Sequence, residues 1–105
     1  MNISEEIKKT ADHYGYEAQS NQLIEECAEL IQAINKYRRA RGKGQEMAEY
    51  HSSLVLDNLV EEIADVEIML EQIKHLLHIP EEEIQAIKLY KVNRTKERIA
   101  KSKGE

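Results

Sequence analysis

Tryptophan and phenylalanine are absent from this chain, proline occurs once, cysteine once and glycine four times in 105 residues. So few turn residues, with sparse aromatic and β-branched residues, disfavour a sheet and point to helices. A lone cysteine excludes a disulfide within one chain and suits a reducing cytoplasm. No apolar run approaches membrane-spanning length, and the N-terminus MNISEEIKK lacks the apolar core of a signal peptide, so a cytoplasmic location away from membranes is expected. With 15 basic against 20 acidic side chains the net charge is −5, which argues against general nucleic-acid or anionic-membrane binding. The length fits one domain, residues 1–105, with a modest core.

What the chain does have is one stretch stated twice. LIEECAEL, from Leu23 to Leu30, returns 36 residues later as LVEEIADV, from Leu59 to Val66. On a helical wheel Leu23, Cys27, Leu30, Ile31 and Ile34 make an apolar stripe, with Glu26 and Glu29 along one edge. In the second copy Leu59, Ile63, Val66, Leu70 and Ile73 make the stripe, and Glu62 and Asp65 take the same edge. Two helices burying these stripes against each other bring four carboxylates together.

That arrangement does not stabilise a helix. Glu25 and Glu26 face Glu29, and Glu61 and Glu62 face Asp65, at like-charge spacings that cost roughly 0.2–0.5 kcal/mol each. Across the pair, carboxylates about 6 Å apart repel by roughly 3 kcal/mol at an effective dielectric near 20. A local rule broken twice in the same way suggests a site, and a divalent cation removes the conflict.

Four helices are expected, packed as an antiparallel four-helix bundle. The first runs from about residue 3 to 14, with Asn2 as N-cap, Glu5 three residues on and Gly15 as stop. A connection over 15–20 follows, flanked by Tyr14 and Tyr16, which either touch a ligand or seal the bundle end. The second helix, about 21–39, carries the first acidic motif. Residues 38–52 read as a basic, glycine-containing loop or flap with Arg38, Arg39, Arg41 and Lys43, after Lys36. The cluster is either a cationic lip for a polyanionic substrate or a set of cations at a helix C-terminus.

The third helix, about 53–77, carries the second motif. Leu54, Ile68, Met69 and Leu76 lie off its expected core face. Ile68, Met69 and Leu76 therefore predict self-association, as a homodimer or homotetramer. Pro80 with Glu81, Glu82 and Glu83 starts the fourth helix, which runs to about residue 100 before a fraying tail over 101–105. Lys88, Lys91, Arg94 and Arg98 share one of its faces.

Glu26, Glu29, Glu62 and Asp65 make an all-oxygen ligand set, suited to Mg²⁺, with Mn²⁺ as the alternative, rather than zinc. A di-iron carboxylate bundle would need Glu-x-x-His on two helices, and none of His13, His51, His75 or His78 has a glutamate three residues before it. Cys27, inside the apolar stripe, reads as a small buried hydrophobe rather than a nucleophile. Mg²⁺ held by a few carboxylates keeps positions for water and phosphates, and Lys91, Arg94 and Arg98 complement phosphate charge. No Gly-rich phosphate loop is present. Two non-enzymatic readings compete with phosphoryl chemistry: an oligomerising helical adaptor and a metal-stabilised structural bundle.

The motifs Glu25-Glu26-x-x-Glu29 and Glu62-x-x-Asp65, with HYGYEAQSNQLIEECAELIQAI around the first and KLYKVNRTKERI on the last helix, resemble the MazG-like all-α nucleoside triphosphate pyrophosphohydrolases. The resemblance covers nearly the whole chain. It departs in the stretch between the motifs, which is longer than usual for the family. It implies Mg²⁺-dependent hydrolysis of a nucleoside triphosphate to the monophosphate and pyrophosphate by an oligomer. It also implies that Glu26, Glu29, Glu62 and Asp65 ligate the metal, that Glu25 orients or deprotonates the attacking water, and that Lys91 and Arg94 grip phosphates.

Overall fold

A computed structural model describes residues 1–42 and 49–104. Among them the chain is all-helical, with three helices in the order α1 (Ile3–Gly42), α2 (Glu49–Leu76) and α3 (Glu81–Ser102) and no strand. The side chain of Asn2 caps α1 as expected, its Oδ1 accepting the Glu5 N–H at 3.0 Å. Glu5 and Glu6 stand near the positive end of the helix dipole.

Gly15 interrupts α1 with φ 85° and ψ 171°, a backbone region open essentially to glycine alone. The expected break is therefore at Gly15 itself, and residues 16–20 are helical rather than a connection. Contacts on α2 show what Gly15 does. Ser4 Oγ donates to Glu71 at 2.6 Å and Asp12 meets His75 at 2.8 Å, so this arm of α1 advances along α2 in the same direction. Beyond Gly15 the order inverts: Gln19 meets Gln72 at 2.6 Å, while Glu26 lies with Glu62 and Asp65. The second arm of α1 thus runs antiparallel to α2.

The seam between them follows alternating steps of three and four. Leu23, Glu26, Leu30, Ala33 and Tyr37 are buried or half-buried on α1. Val55, Leu59, Glu62, Val66, Met69, Ile73 and Leu76 are so on α2. This is the spacing of side-chain packing in left-handed helix pairs. Ala33, 1% exposed, is the small residue that lets the backbones approach.

Several expectations are corrected by this seam. Met69 is buried and Leu76 half-buried within the chain rather than offered to a partner, while Ile68 remains exposed. Conversely Cys27, Ile31, Ile34, Ile63 and Leu70, expected inside, are exposed. No four-helix bundle forms among the described residues. There the helices number three, and α3 has no buried residue and packs against neither α1 nor α2.

The link from α2 to α3 is a turn whose Lys74 Nζ lies 2.9 Å from Glu81 Oε2. Hydrogen bonds from Gln85 and Lys74 hold the Glu81 carboxyl below its ordinary range. α3 extends to Ser102, two residues past the expected end. Residues 38–42 and 49–52, expected in a loop, belong to α1 and α2 respectively, whereas Lys43 and positions 44–48 of the basic segment lie outside the described residues. The radius of gyration, 18.2 Å, exceeds the roughly 13 Å of a compact domain this long. Much apolar surface is consequently uncovered.

Candidate metal centre

Both acidic motifs reach the seam because they interrupt its apolar steps. Glu26 occupies the position between Leu23 and Leu30, and Glu62 the one between Leu59 and Val66. Because the helices run antiparallel here, the two glutamates come abreast. Asp65, one turn after Glu62, joins them: one carboxylate oxygen from each of Glu26, Glu62 and Asp65 lies within 4.8 Å of the others. All three residues are half-buried.

The electrostatics report mutual repulsion. The Glu26 carboxyl is raised from 4.5 to about 7, first through a hydrogen bond with Glu29, then through burial and the charges of Asp65, Glu29 and Glu62. Glu62 is raised as well, chiefly by burial and then by Glu29 and Asp65. Among the described residues, Glu62 Oε2 is shielded from solvent and has no hydrogen-bond partner. A buried acceptor without a donor is costly. A cation placed among these oxygens would relieve the orphaned acceptor and the crowding together, and oxygen-only donors suit Mg²⁺. The residues present therefore fit a hard divalent ion.

Glu29 stands at the rim, exposed, close enough to Glu26 to share a proton but outside the group of three oxygens. Glu25 and Glu61, one residue before the seam glutamates, are exposed. Lys91 and Arg94 are on α3, which is not packed beside the cluster within one chain. Arg94 instead lies over the Tyr90 ring, 5.6 Å from its centre. Tyr14 and Tyr16 are exposed, and His13 meets Tyr14 edge-on with ring centres 4.7 Å apart.

Two features escaped the sequence reading. The Gln19–Gln72 pair is buried, Gln19 four residues before Leu23 on the seam and Gln72 beside Ile73, but it carries no apolar signal. A concavity of about 390 Å³ near the α2–α3 turn joins Lys8, on the first arm of α1, with Lys74, His75 and His78 at the end of α2. No family model, no curated protein and no solved structure matches the chain.

Proposed function

We propose that the protein is a Mg²⁺-dependent nucleoside triphosphate pyrophosphohydrolase that releases a nucleoside monophosphate and pyrophosphate. The observation carrying this reading is the convergence of Glu26, Glu62 and Asp65 around the orphaned Glu62 Oε2, from the two motifs that resemble the MazG-like family. Glu26, Glu62 and Asp65 hold the ion, with Glu29 completing the set from the rim. When bound, Mg²⁺ supplies charge stabilisation for the phosphoryl group being transferred.

Glu25, exposed and next to Glu26 in the chain, orients a water and accepts its proton. Lys91 and Arg94 bind phosphate oxygens, and since α3 is not beside the cluster within one chain, they reach it from another copy or after α3 moves. The enzyme works as a homodimer or homotetramer in the cytoplasm, in nucleotide-pool housekeeping, and a four-helix core arises between chains. The adaptor reading draws on the exposed apolar side chains of α1, α2 and α3; it requires no turnover.

The test is a panel of nucleoside triphosphates incubated with the full chain and Mg²⁺, with product identification. Monophosphate and pyrophosphate are expected. Diphosphate with orthophosphate would contradict the reaction class, and tight Mg²⁺ binding without turnover would favour the structural bundle.

A further inference from the structure

Charge is divided unevenly along the chain. Between Lys88 and Lys103 lie seven of the 15 Lys and Arg side chains and one of the 20 Asp and Glu, a local charge of +6 against −11 for the rest. The overall −5, which argues against general nucleic-acid binding, therefore averages a strongly acidic remainder with one basic length of helix. That length is separate in space as well. α3 packs against neither α1 nor α2 and has no buried residue. Among the described residues, none of Lys88, Lys91, Arg94, Arg98 and Lys101 forms an ion pair.

These five cations are ordered on the helix. They follow one another at steps of three, three, four and three, which confines them to an arc of about 140° at 100° per residue. The 13 steps from Lys88 to Lys101 extend about 20 Å at a rise of about 1.5 Å each. A nucleic-acid strand carries a phosphate about every 3.4 Å of axis, so about six phosphates fit that length. A triphosphate is too short to engage the whole stripe. So is the acidic cluster, whose three oxygens lie within 4.8 Å of one another. A polyanion of repeating charge spans it. Tyr90 borders the stripe, 65% exposed, with Arg94 over its ring at 5.6 Å from the centre. An exposed ring beside a row of cations is what stacks a base while the neighbouring phosphates are held.

We infer that α3 binds single-stranded nucleic acid without sequence preference, with backbone phosphates along the five-cation stripe and a base on Tyr90. A duplex offers the same phosphates but no unstacked base for the ring. An anionic lipid surface fits less well. The large apolar side chains on the other side of α3 are Leu89, Val92 and Ile99, and on the helical wheel Lys96 and Lys103 fall between them. Two ammonium groups thus stand at the centre of the face that would have to insert. The hydrolase reading draws on Lys91 and Arg94 of this stripe. Strand binding needs neither metal nor turnover, so the two readings fail separately.

Fluorescence anisotropy of a labelled oligothymidylate of about 20 nucleotides, longer than the stripe, tests the inference with the full chain in chelator. Such a strand carries no triphosphate. Five contacts to a single strand give a slope of log affinity against log salt of about −3.5, so affinity should fall about a hundredfold between about 50 and 200 mM salt. The double variant Arg98→Gln, Lys101→Gln should bring the slope to about −2. Tyr90→Leu should weaken binding at least about fivefold with the slope unchanged. Lys8→Gln with Lys9→Gln, exposed cations on α1, should alter neither quantity. All the replaced side chains are exposed, and circular dichroism checks that each variant keeps its helical content. Phosphatidylserine vesicles and a duplex of the same length are the competing probes. No binding at the lower salt, tighter binding of vesicles or duplex than of the strand, a slope that the Arg98 and Lys101 changes leave as it was, or a Tyr90→Leu protein that binds like the native one would each overturn it.

Discussion

Gln19 and Gln72 face each other across the seam, Nε2 of the first donating to Oε1 of the second at 2.6 Å, with 8% and 3% of their surfaces exposed. A buried amide pair in an apolar seam adds little net stability but fixes register, because any slip leaves both amides unpaired. Gln72→Leu alone should cost about 1–3 kcal/mol, since it strands the Gln19 amide. The double replacement Gln19→Leu, Gln72→Leu should recover most of that loss. Chemical denaturation of the four proteins of this cycle measures the coupling, and additive losses would count against the pair.

Asp65→Asn keeps the side chain's shape and removes one charge from the cluster. In chelator its stability should hold or rise, by up to about 1 kcal/mol because partly exposed charges are screened. Mg²⁺ should raise the melting temperature of the native protein and do so much less for the variant. Turnover should collapse. A variant less stable in chelator that still hydrolyses nucleotides would remove the metal centre from the account.

The same repulsion sets a pH dependence. Glu26 titrates near 7 when folded against 4.5 ordinarily, with the shared Glu29 hydrogen bond as the largest cause. Its folded form binds a proton more tightly than its unfolded form, so its contribution is fully present below about pH 4.5 and is lost as pH rises through about 7. Glu62, raised chiefly by burial, acts in the same direction. In chelator the melting temperature should therefore fall between about pH 5 and 7.5. The increment produced by Mg²⁺ should grow over that window, because the ion needs the deprotonated carboxylates. A chelated protein that becomes more stable across the window would contradict the shifts.

Two residues in the left-handed half of backbone space should respond oppositely to substitution. Gly15→Ala meets no atom within 4 Å of the added carbon, so its cost is backbone strain alone, about 1–3 kcal/mol. His78, at φ 55°, ends α2 where glycine is usual. The Ile79 N–H bonds to the Lys74 carbonyl at 2.9 Å and the His78 N–H to that of His75 at 3.2 Å, closing a Schellman motif. His78→Gly relieves about 1–2 kcal/mol of left-handed strain. It also adds about 0.4–1 kcal/mol of unfolded-chain entropy, leaving a net gain on the order of 0.5–1 kcal/mol. Melting temperatures of the two variants should move apart, and a destabilised His78→Gly would mean that the imidazole has contacts worth more than the strain.

Helical content, the Asn2 cap, the break at Gly15, the start of α3 after Pro80 and the pairing of the two acidic motifs were all legible from spacing and residue type. These depend on neighbours a few residues apart, and short-range geometry decides them. Which stripe each helix buries did not follow, because α1 and α2 each carry two apolar stripes one residue apart. Ranked by apolar content, Ile24, Cys27, Ile31 and Ile34 outweigh a seam that includes Glu26 and Ala33. The seam won because Ala33 permits close approach and because the fold-back at Gly15 sets Gln19 against Gln72, neither of which is a periodic signal. With the seam rotated by one residue, Met69 moved inside and Cys27 out. Local spacing thus determined that two acidic helices would pair, and the long-range packing of α1 on α2 decided which of their faces stay exposed.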